Sequence, residues 1–235
     1  MQTLSHSSTV PSWHALLAPR CIACELAPGR PVCAGCAGDF FAAAARRCRH
    51  CALRLPAATA AEICADCLRV PPQFDVTVAL ADYAPPVSGM VLALKYGHRL
   101  ELARALGRLL ALRLCRDELA AALLVPVPLA FERQAERGFN QAREIGRSLA
   151  AALGLRLHPE LVLRTRHTPA QESLKRDERR RNLRGAFAVR GEVAGRTVAV
   201  IDDVMTSGGT LEEIARVLKA AGAARVVNLI VARTP

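Results

Sequence analysis

The sequence predicts an α/β fold, a parallel sheet with helices on both faces, preceded by a small cysteine-rich module. Three observations favour it: strand-like apolar runs alternate with helical patterns after residue 71, eight of the nine cysteines precede residue 70, and 51% of the 235 residues are hydrophobic. Such a chain is long and apolar enough for one or two domains with a core. We place the boundary at Val70-Pro71-Pro72, which divides the chain into residues 1–70 and 71–235.

The eight early cysteines form four Cys-x-x-Cys pairs: Cys21/Cys24, Cys33/Cys36, Cys48/Cys51 and Cys64/Cys67. Thiolates three residues apart on a tight turn bind one tetrahedral Zn²⁺ together, and two pairs complete a closed structural site. Sequential sites combine the first two pairs and the last two, but an interleaved arrangement is also open. Because the intervening segments are short, we expect the metal to supply most of the folding energy of a double zinc ribbon. Disulfides and a redox or iron–sulfur role are the alternatives.

Beyond the boundary, strand and helix patterns alternate. An alternating or continuously apolar run predicts a strand, and apolar residues three and four apart predict a helix. The predicted elements are a strand over 74–83, helices over 87–96 and 101–116, a strand over 123–127, a helix over 140–153, a strand over 197–201, a helix after 210 and a strand over 226–231. This alternation indicates a parallel sheet whose ligand crevice lies at the carboxyl ends of its strands.

The segment from Thr197 to Thr210 carries the strongest functional signal. Val198–Ile201 predicts a strand buried on both faces, and Asp202 and Asp203 stand where it ends. We expect Thr210 and Glu213 to form a capping box at the start of the next helix. The loop between them consists of Thr206, Ser207, Gly208, Gly209 and Thr210.

Such a loop suits a phosphorylated sugar. Free N–H groups at a helix N-terminus favour phosphate, and glycines allow the main chain to approach it. The plainer alternative is a solvated acidic turn before an ordinary capped helix. Adjacent acids at a buried strand end repel each other unless a ligand or cation uses them, which favours the phosphosugar site.

The strand, acidic pair and Thr/Gly loop resemble the 5-phosphoribosyl-1-pyrophosphate (PRPP) motif of type I phosphoribosyltransferases. The resemblance implies that Asp202 and Asp203 accept hydrogen bonds from the ribose 2- and 3-hydroxyls, directly or around Mg²⁺. It also implies that Thr206–Thr210 wrap the 5-phosphate. The P-loop and the dinucleotide fingerprint both fit badly, because no lysine follows these glycines and their spacing is not Gly-x-Gly-x-x-Gly.

Further motifs follow in a fixed order: Leu124-Val-Pro-Val-Pro128, Arg133, Arg137-Gly-Phe-Asn-Gln-Ala142, Thr168-Pro-Ala-Gln171, Arg179-Arg-Arg-Asn-Leu-Arg-Gly-Ala-Phe187 and Ala232-Arg-Thr-Pro235. Together with the cysteine pairs they resemble the ComF family. Its members join a cysteine-rich zinc module to a phosphoribosyltransferase-like domain and are associated with DNA uptake in naturally competent bacteria. That family often has threonine at the position of Ser207 and alanine at that of Gly209, and both replacements here keep the loop permissive.

The resemblance implies further substrate contacts. The turn Val125–Pro128, including Val127 and Pro128, would face pyrophosphate, with Arg133 and Arg137 as charge partners. Lys95 is another candidate cation for the phosphates. Each of these three cations has the alternative of lying on a solvated face.

The chain is strongly basic, with a net charge of +11 and 32 basic against 21 acidic side chains. This charge favours phosphate-bearing partners but does not distinguish nucleic acid from a small phosphorylated substrate. Eight basic and three acidic residues lie between Arg164 and Arg184. That run could close over PRPP as a lid, grip single-stranded DNA, or form a solvated helix. Aromatic residues make up only 4% of the chain, so platforms for stacking bases are scarce.

Two functions of different classes are therefore open. One is a phosphoribosyltransferase of unknown acceptor. The other is a non-catalytic adaptor or PRPP sensor that links DNA to a competence helicase. We expect a cytoplasmic protein without a membrane span, because residues 1–20 do not resemble a secretion signal and no uncharged apolar stretch reaches about 18 residues.

Overall fold

The computed structural model describes residues 20–42, 45–114, 119, 121–166 and 183–235. The structure has a parallel sheet, which confirms the predicted α/β fold. Its strands are β1 (Val76–Asp82), β2 (Leu123–Pro126), β5 (Thr197–Met205) and β6 (Arg225–Arg233). They lie in the order β1-β6-β5-β2, so β5, which carries the acidic pair, lies inside the sheet.

Helices cover this sheet, and most of them lie where the sequence predicts. The predicted helix over 101–116 ends earlier, at Ala111. The predicted helix over 140–153 ends at Gly154, which has a φ of 70°. The first long helix ends at Gly97, as predicted. Within the described residues the α-helices are α1 (Ala34–Ala37), α2 (Ala65–Arg69), α3 (Val87–Tyr96), α4 (Leu100–Ala111), α5 (Phe131–Arg137), α6 (Gln141–Leu153) and α7 (Gly209–Ala220), and a π-helix over Gly38–Ala42 follows α1.

The core is divided between the two faces of the sheet. Ala199 and Ile201 of β5 pack into one cluster with α3, α4 and α6, and Val198 and Val200 pack into the other with α7. This alternation is what a strand buried on both faces requires. Helices α4 and α6 approach closely at Gly107, where a Cβ atom would lie 2.6 Å from the Ile145 carbonyl oxygen.

The cysteine-rich segment, residues 20–69, packs directly against the sheet. Phe41, which is 3% exposed, shares a core cluster with residues of β1 and β6. Arg47 Nη1 lies 2.6 Å from Asp82 Oδ1 at the end of β1, and Arg54 pairs with the same carboxylate. The Thr77 N–H donates to the Arg49 carbonyl at 2.9 Å. The segment is therefore anchored by polar contacts as well as by apolar burial.

Two local expectations are wrong. Helix α7 begins at Gly209 with left-handed Gly208 as its N-cap, so Thr210 and Glu213 form no capping box. Glu213 instead accepts the Gly185 N–H at 2.6 Å and pairs with Arg216. The acidic pair also lies within β5 and not after it, because β5 continues to Met205.

The sequence reading missed a small antiparallel ladder of β3 (Val162–Arg164) and β4 (Phe187–Val189). These strands are too short to show a periodic pattern. The Thr168–Gln171 motif and most of the basic run 164–184 lie outside the described residues. None of the helices in the described ranges is long and apolar enough to cross a bilayer.

Candidate functional site

The acidic pair forms an electrostatic cluster with a lysine from α3. Asp203 is 4% exposed, and its Oδ2 atom lies 3.0 Å from Lys95 Nζ. The Asp203 N–H donates to Asp202 Oδ1 at 2.9 Å. Asp202 is only partly exposed. Its burial, followed by the negative charge of Asp203, raises the pKa of Asp202 to about 7. The charge of Lys95 and the Asp203 N–H act in the opposite direction and lower this pKa. A single ammonium thus neutralises two carboxylates incompletely.

The 206–210 loop follows at the carboxyl end of β5. Gly208 has a φ of 78°, a left-handed backbone conformation that favours glycine. Gly208 is also the N-cap of α7 and has no side chain with which to accept the first N–H groups of the helix. This end of the helix therefore offers main-chain donors and the positive end of the helix dipole to an anion.

The turn after β2 lies beside β5. The Val127 N–H donates to the Ile201 carbonyl at 2.9 Å. The Val127 carbonyl accepts Asn140 Nδ2 at 2.9 Å, while Asn140 Oδ1 accepts the Arg143 N–H and caps α6. The structure thus brings the Val127–Pro128 turn to the sheet edge where the acidic pair lies. Asn140 holds this turn, a role that sequence reasoning missed although asparagine before a helical pattern is a capping signal.

The two predicted arginines occupy different surroundings. Arg137 is 7% exposed and donates to Gln141 Oε1 at 3.2 Å and to the Tyr96 hydroxyl at 3.4 Å. Its guanidinium also lies 5.1 Å from the centroid of the Tyr96 ring, next to Lys95 in α3. Arg133 instead lies near Arg164, where its charge adds to burial in lowering the pKa of the Arg164 guanidinium.

The cysteine pairs are grouped sequentially. In each set of four, all Sγ atoms lie within 4.8 Å of one another. The first cluster is Cys21, Cys24, Cys33 and Cys36, and the second cluster is Cys48, Cys51, Cys64 and Cys67.

The geometry of both clusters fits structural zinc. The Cys24–Cys33 and Cys51–Cys64 sulfur distances are 3.9 and 3.6 Å, near the roughly 3.8 Å edge of a tetrahedron with 2.3 Å Zn–S bonds. All eight thiols are free, which argues against the disulfide alternative. Burial acts to raise the pKa of Cys21, but backbone donors, including the Cys33 N–H at 3.3 Å, lower it to about 6, whereas burial raises the pKa of Cys36 in the same cluster.

Sequence reasoning also missed the role of Arg233, the last residue of β6. Arg233 is 6% exposed and donates from Nε to the Cys51 carbonyl at 2.9 Å. Its Nη1 donates to the Met205 and Thr206 carbonyls at 3.1 and 2.7 Å. The available signal was an arginine that closes an apolar strand predicted to be buried, because such a side chain needs partners.

Residues 117–234, which include β5 and the 206–210 loop, match the family described as phosphoribosyl transferase domain. DNA utilization protein YhgH of Escherichia coli O6:H1 is 40% identical over 192 residues, which are 80% of this chain and 84% of that protein. Competence protein F of Haemophilus influenzae is 34% identical over 74% of this chain and 79% of that protein. Competence protein ComFC of Bacillus subtilis is 36% identical over 45% of this chain and 42% of that protein.

Proposed function

Because the chain belongs to the ComF family, we propose that it binds PRPP with Mg²⁺ and takes part in DNA uptake during natural competence. The observation that carries the proposal is the Lys95–Asp203–Asp202 cluster beside a loop that ends in the uncapped start of α7. The division into a zinc module over 1–70 and a phosphoribosyltransferase-like domain over 71–235 is part of the proposal. Free thiols in metal-type clusters suit a reducing compartment, so we place the protein in the cytoplasm.

Each part of the site has a task in binding. Asp202 and Asp203 accept the ribose hydroxyls, which compete with Lys95 for the Asp203 carboxylate. The main chain and hydroxyls of Thr206–Thr210 hold the 5-phosphate, which anchors the sugar remotely from its C1 atom. The Val127–Pro128 turn faces the diphosphate. When bound, Mg²⁺ supplies charge neutralisation on that diphosphate.

A titration of PRPP with and without Mg²⁺ tests this proposal. The wild type should bind, more tightly with Mg²⁺, and the D202N/D203N variant should lose at least about tenfold in affinity, since each hydrogen bond to a charged group is worth about 1.5–3 kcal/mol. The matched control is E192Q, because Glu192 is an exposed carboxylate before β5, away from the acidic pair. Failure of the wild type to bind, or equal binding by all three proteins, would refute the proposal.

The second candidate is a non-catalytic adaptor or PRPP sensor that connects single-stranded DNA with a competence helicase. It is favoured by the net charge of +11 and by the proximity of Arg133 to Arg164 at the edge of the basic run. Stoichiometric release of pyrophosphate from PRPP with an added acceptor would support the catalyst. Binding of PRPP without release, together with retention of DNA that is lost at high salt, would support the adaptor.

A further inference from the structure

Arg233 joins the second cluster to the 206–210 loop. One buried guanidinium donates to the carbonyl of Cys51, a cysteine of that cluster, and to the carbonyls of Met205 and Thr206, where the loop begins. These contacts bridge residues 182 and 28 positions apart in the sequence. The Arg233 backbone is itself fixed, because it pairs with Met205 in the register of β5 and β6.

The positions of these carbonyls determine where the loop amides point. In a planar trans peptide the C=O and N–H bonds point in opposite directions. Holding the Met205 and Thr206 oxygens on the side of Arg233 therefore turns the Thr206 and Ser207 N–H groups away from the second cluster. We take that opposite side to be the one where a phosphate is bound.

Packing between the cluster and the loop is incomplete, so the guanidinium is what holds the Thr206 carbonyl, whereas the Met205 carbonyl also accepts the Thr234 N–H at 3.1 Å. A cavity of about 180 Å³ separates them, and its lining includes Cys51, Cys67, Met205, Ser207, Gly208 and Arg233. A polar contact also crosses nearby, where the Gln73 N–H donates to Glu212 Oε2 in the first turn of α7 at 3.1 Å. That tie holds the helix but does not contact the loop carbonyls.

The first cluster is arranged differently. Cys21 and Cys36 pack in the core on the α4 and α6 face, whereas the second cluster packs on the α7 face together with Met205. The two clusters therefore differ in their connection to the loop, although their ligand sets are alike.

From this arrangement we infer that Arg233 is a positioning residue that couples the metal state of the second cluster to the readiness of the 206–210 loop for phosphate. A bound metal fixes the Cys51 main chain, Cys51 fixes the guanidinium, and the guanidinium fixes the loop. Where the loop ligand is PRPP, the inference rests on the proposed function. By thermodynamic reciprocity, a ligand that orders the loop must also tighten the hold on the metal of the second cluster.

The test compares R233M and R233K with R47M in the zinc-loaded full chain. Arg47 is the matched control because it donates to the Ala52 carbonyl, next to Cys51, and ties the cysteine-rich segment to the sheet through Asp82, but does not contact the loop. Hydrogen–deuterium exchange of a peptide spanning 205–211 should accelerate roughly fivefold or more in R233M but not in R47M. R233K keeps the charge but lacks the planar guanidinium that reaches all three carbonyls, so it should also accelerate exchange. If R233M does not fold, R233K takes its place in the comparison.

Zinc release to a chelator gives the second readout. In the wild type, saturating PRPP should slow release of one of the two zinc ions several-fold, and in R233M it should slow neither. The inference would be overturned if the loop exchanged at the same rate in the wild type and in both Arg233 variants. It would also be overturned if PRPP slowed the release of both zinc ions equally in the wild type. If the wild type binds no PRPP, the proposed function fails, but loop exchange still decides this inference.

Discussion

Lys95 Nζ lies 3.0 Å from Asp203 Oδ2, so an ammonium from α3 faces the acidic pair of β5 across the carboxyl edge of the sheet. Both side chains are largely buried, which limits the solvation of either charge. The same lysine lowers the pKa of Asp202, although burial and the charge of Asp203 outweigh it. Because two carboxylates face one ammonium, their oxygens can still bind another cation or accept hydrogen bonds from hydroxyl groups.

The Lys95–Asp203 pair should contribute to folding stability. K95M should lower the unfolding free energy by about 2–4 kcal/mol, because it leaves Asp203 buried without its cation. Urea denaturation of K95M, D203N and the double variant at pH 7.5 measures the coupling. The double variant should be more stable than the sum of the single effects predicts; strict additivity would show that the two side chains do not interact.

Asp202 should make stability fall as the pH rises. Its folded pKa of about 7 lies above its ordinary value, so the folded state binds this proton more tightly than the unfolded chain. This contribution is fully present below about pH 4 and is lost as the pH rises through 7. Between pH 5 and pH 8 the melting temperature of the wild type should fall, relative to that of D202N, by at least about 2–4 °C. This shift corresponds to about 1 kcal/mol in a chain of this size. A constant difference between the two proteins would contradict the raised pKa.

Zinc removal should destabilise the whole chain. Phe41 and the first-cluster thiols share a core with the sheet, so loss of the metal exposes surface beyond the cysteine-rich segment. Elemental analysis should give two zinc ions per chain, and chelation should lower the melting temperature by more than about 10 °C. Restoration by zinc but not by Mg²⁺ is the control. An unchanged melting curve after complete zinc removal would argue against a structural role.

Gly107 should be intolerant of a side chain. A Cβ atom there would lie 2.6 Å from the Ile145 oxygen and 2.8 Å from Ser148 Cβ, so G107A should cost about 1–3 kcal/mol by forcing α4 and α6 apart. The matched control is G89A in α3, where a Cβ meets nothing within 4 Å. G89A should be neutral or stabilising by up to about 1 kcal/mol, because alanine favours the helix. Equal effects in denaturant titrations would contradict this close packing.

Regular and local patterns made much of this molecule predictable. The apolar run Val198–Ile201 forms the central strand because both of its faces are buried, and Gly154 ends α6 in the left-handed conformation. The Cys-x-x-Cys spacing identified all eight clustered thiols. It did not determine their sequential grouping, which depends on how the segments between the pairs fold.

The missed features depend on tertiary contacts. Glu213 has the spacing of a capping box but bonds to Gly185, 28 positions away, since left-handed Gly208 starts the helix earlier than expected. Arg233 reads as the polar end of an apolar strand, and its partners become visible only when Cys51 and Met205 are brought together in space. No periodic pattern encodes such distant pairs.

A crystal structure of the zinc-loaded protein with PRPP and Mg²⁺ tests the central claim most directly. We predict that the ribose hydroxyls lie within hydrogen-bonding distance, about 2.7–3.2 Å, of the Asp202 and Asp203 carboxylates, with the 5-phosphate at the same distance from amides of the 206–210 loop. A ligand bound elsewhere, or an empty site at saturating PRPP, would contradict the account.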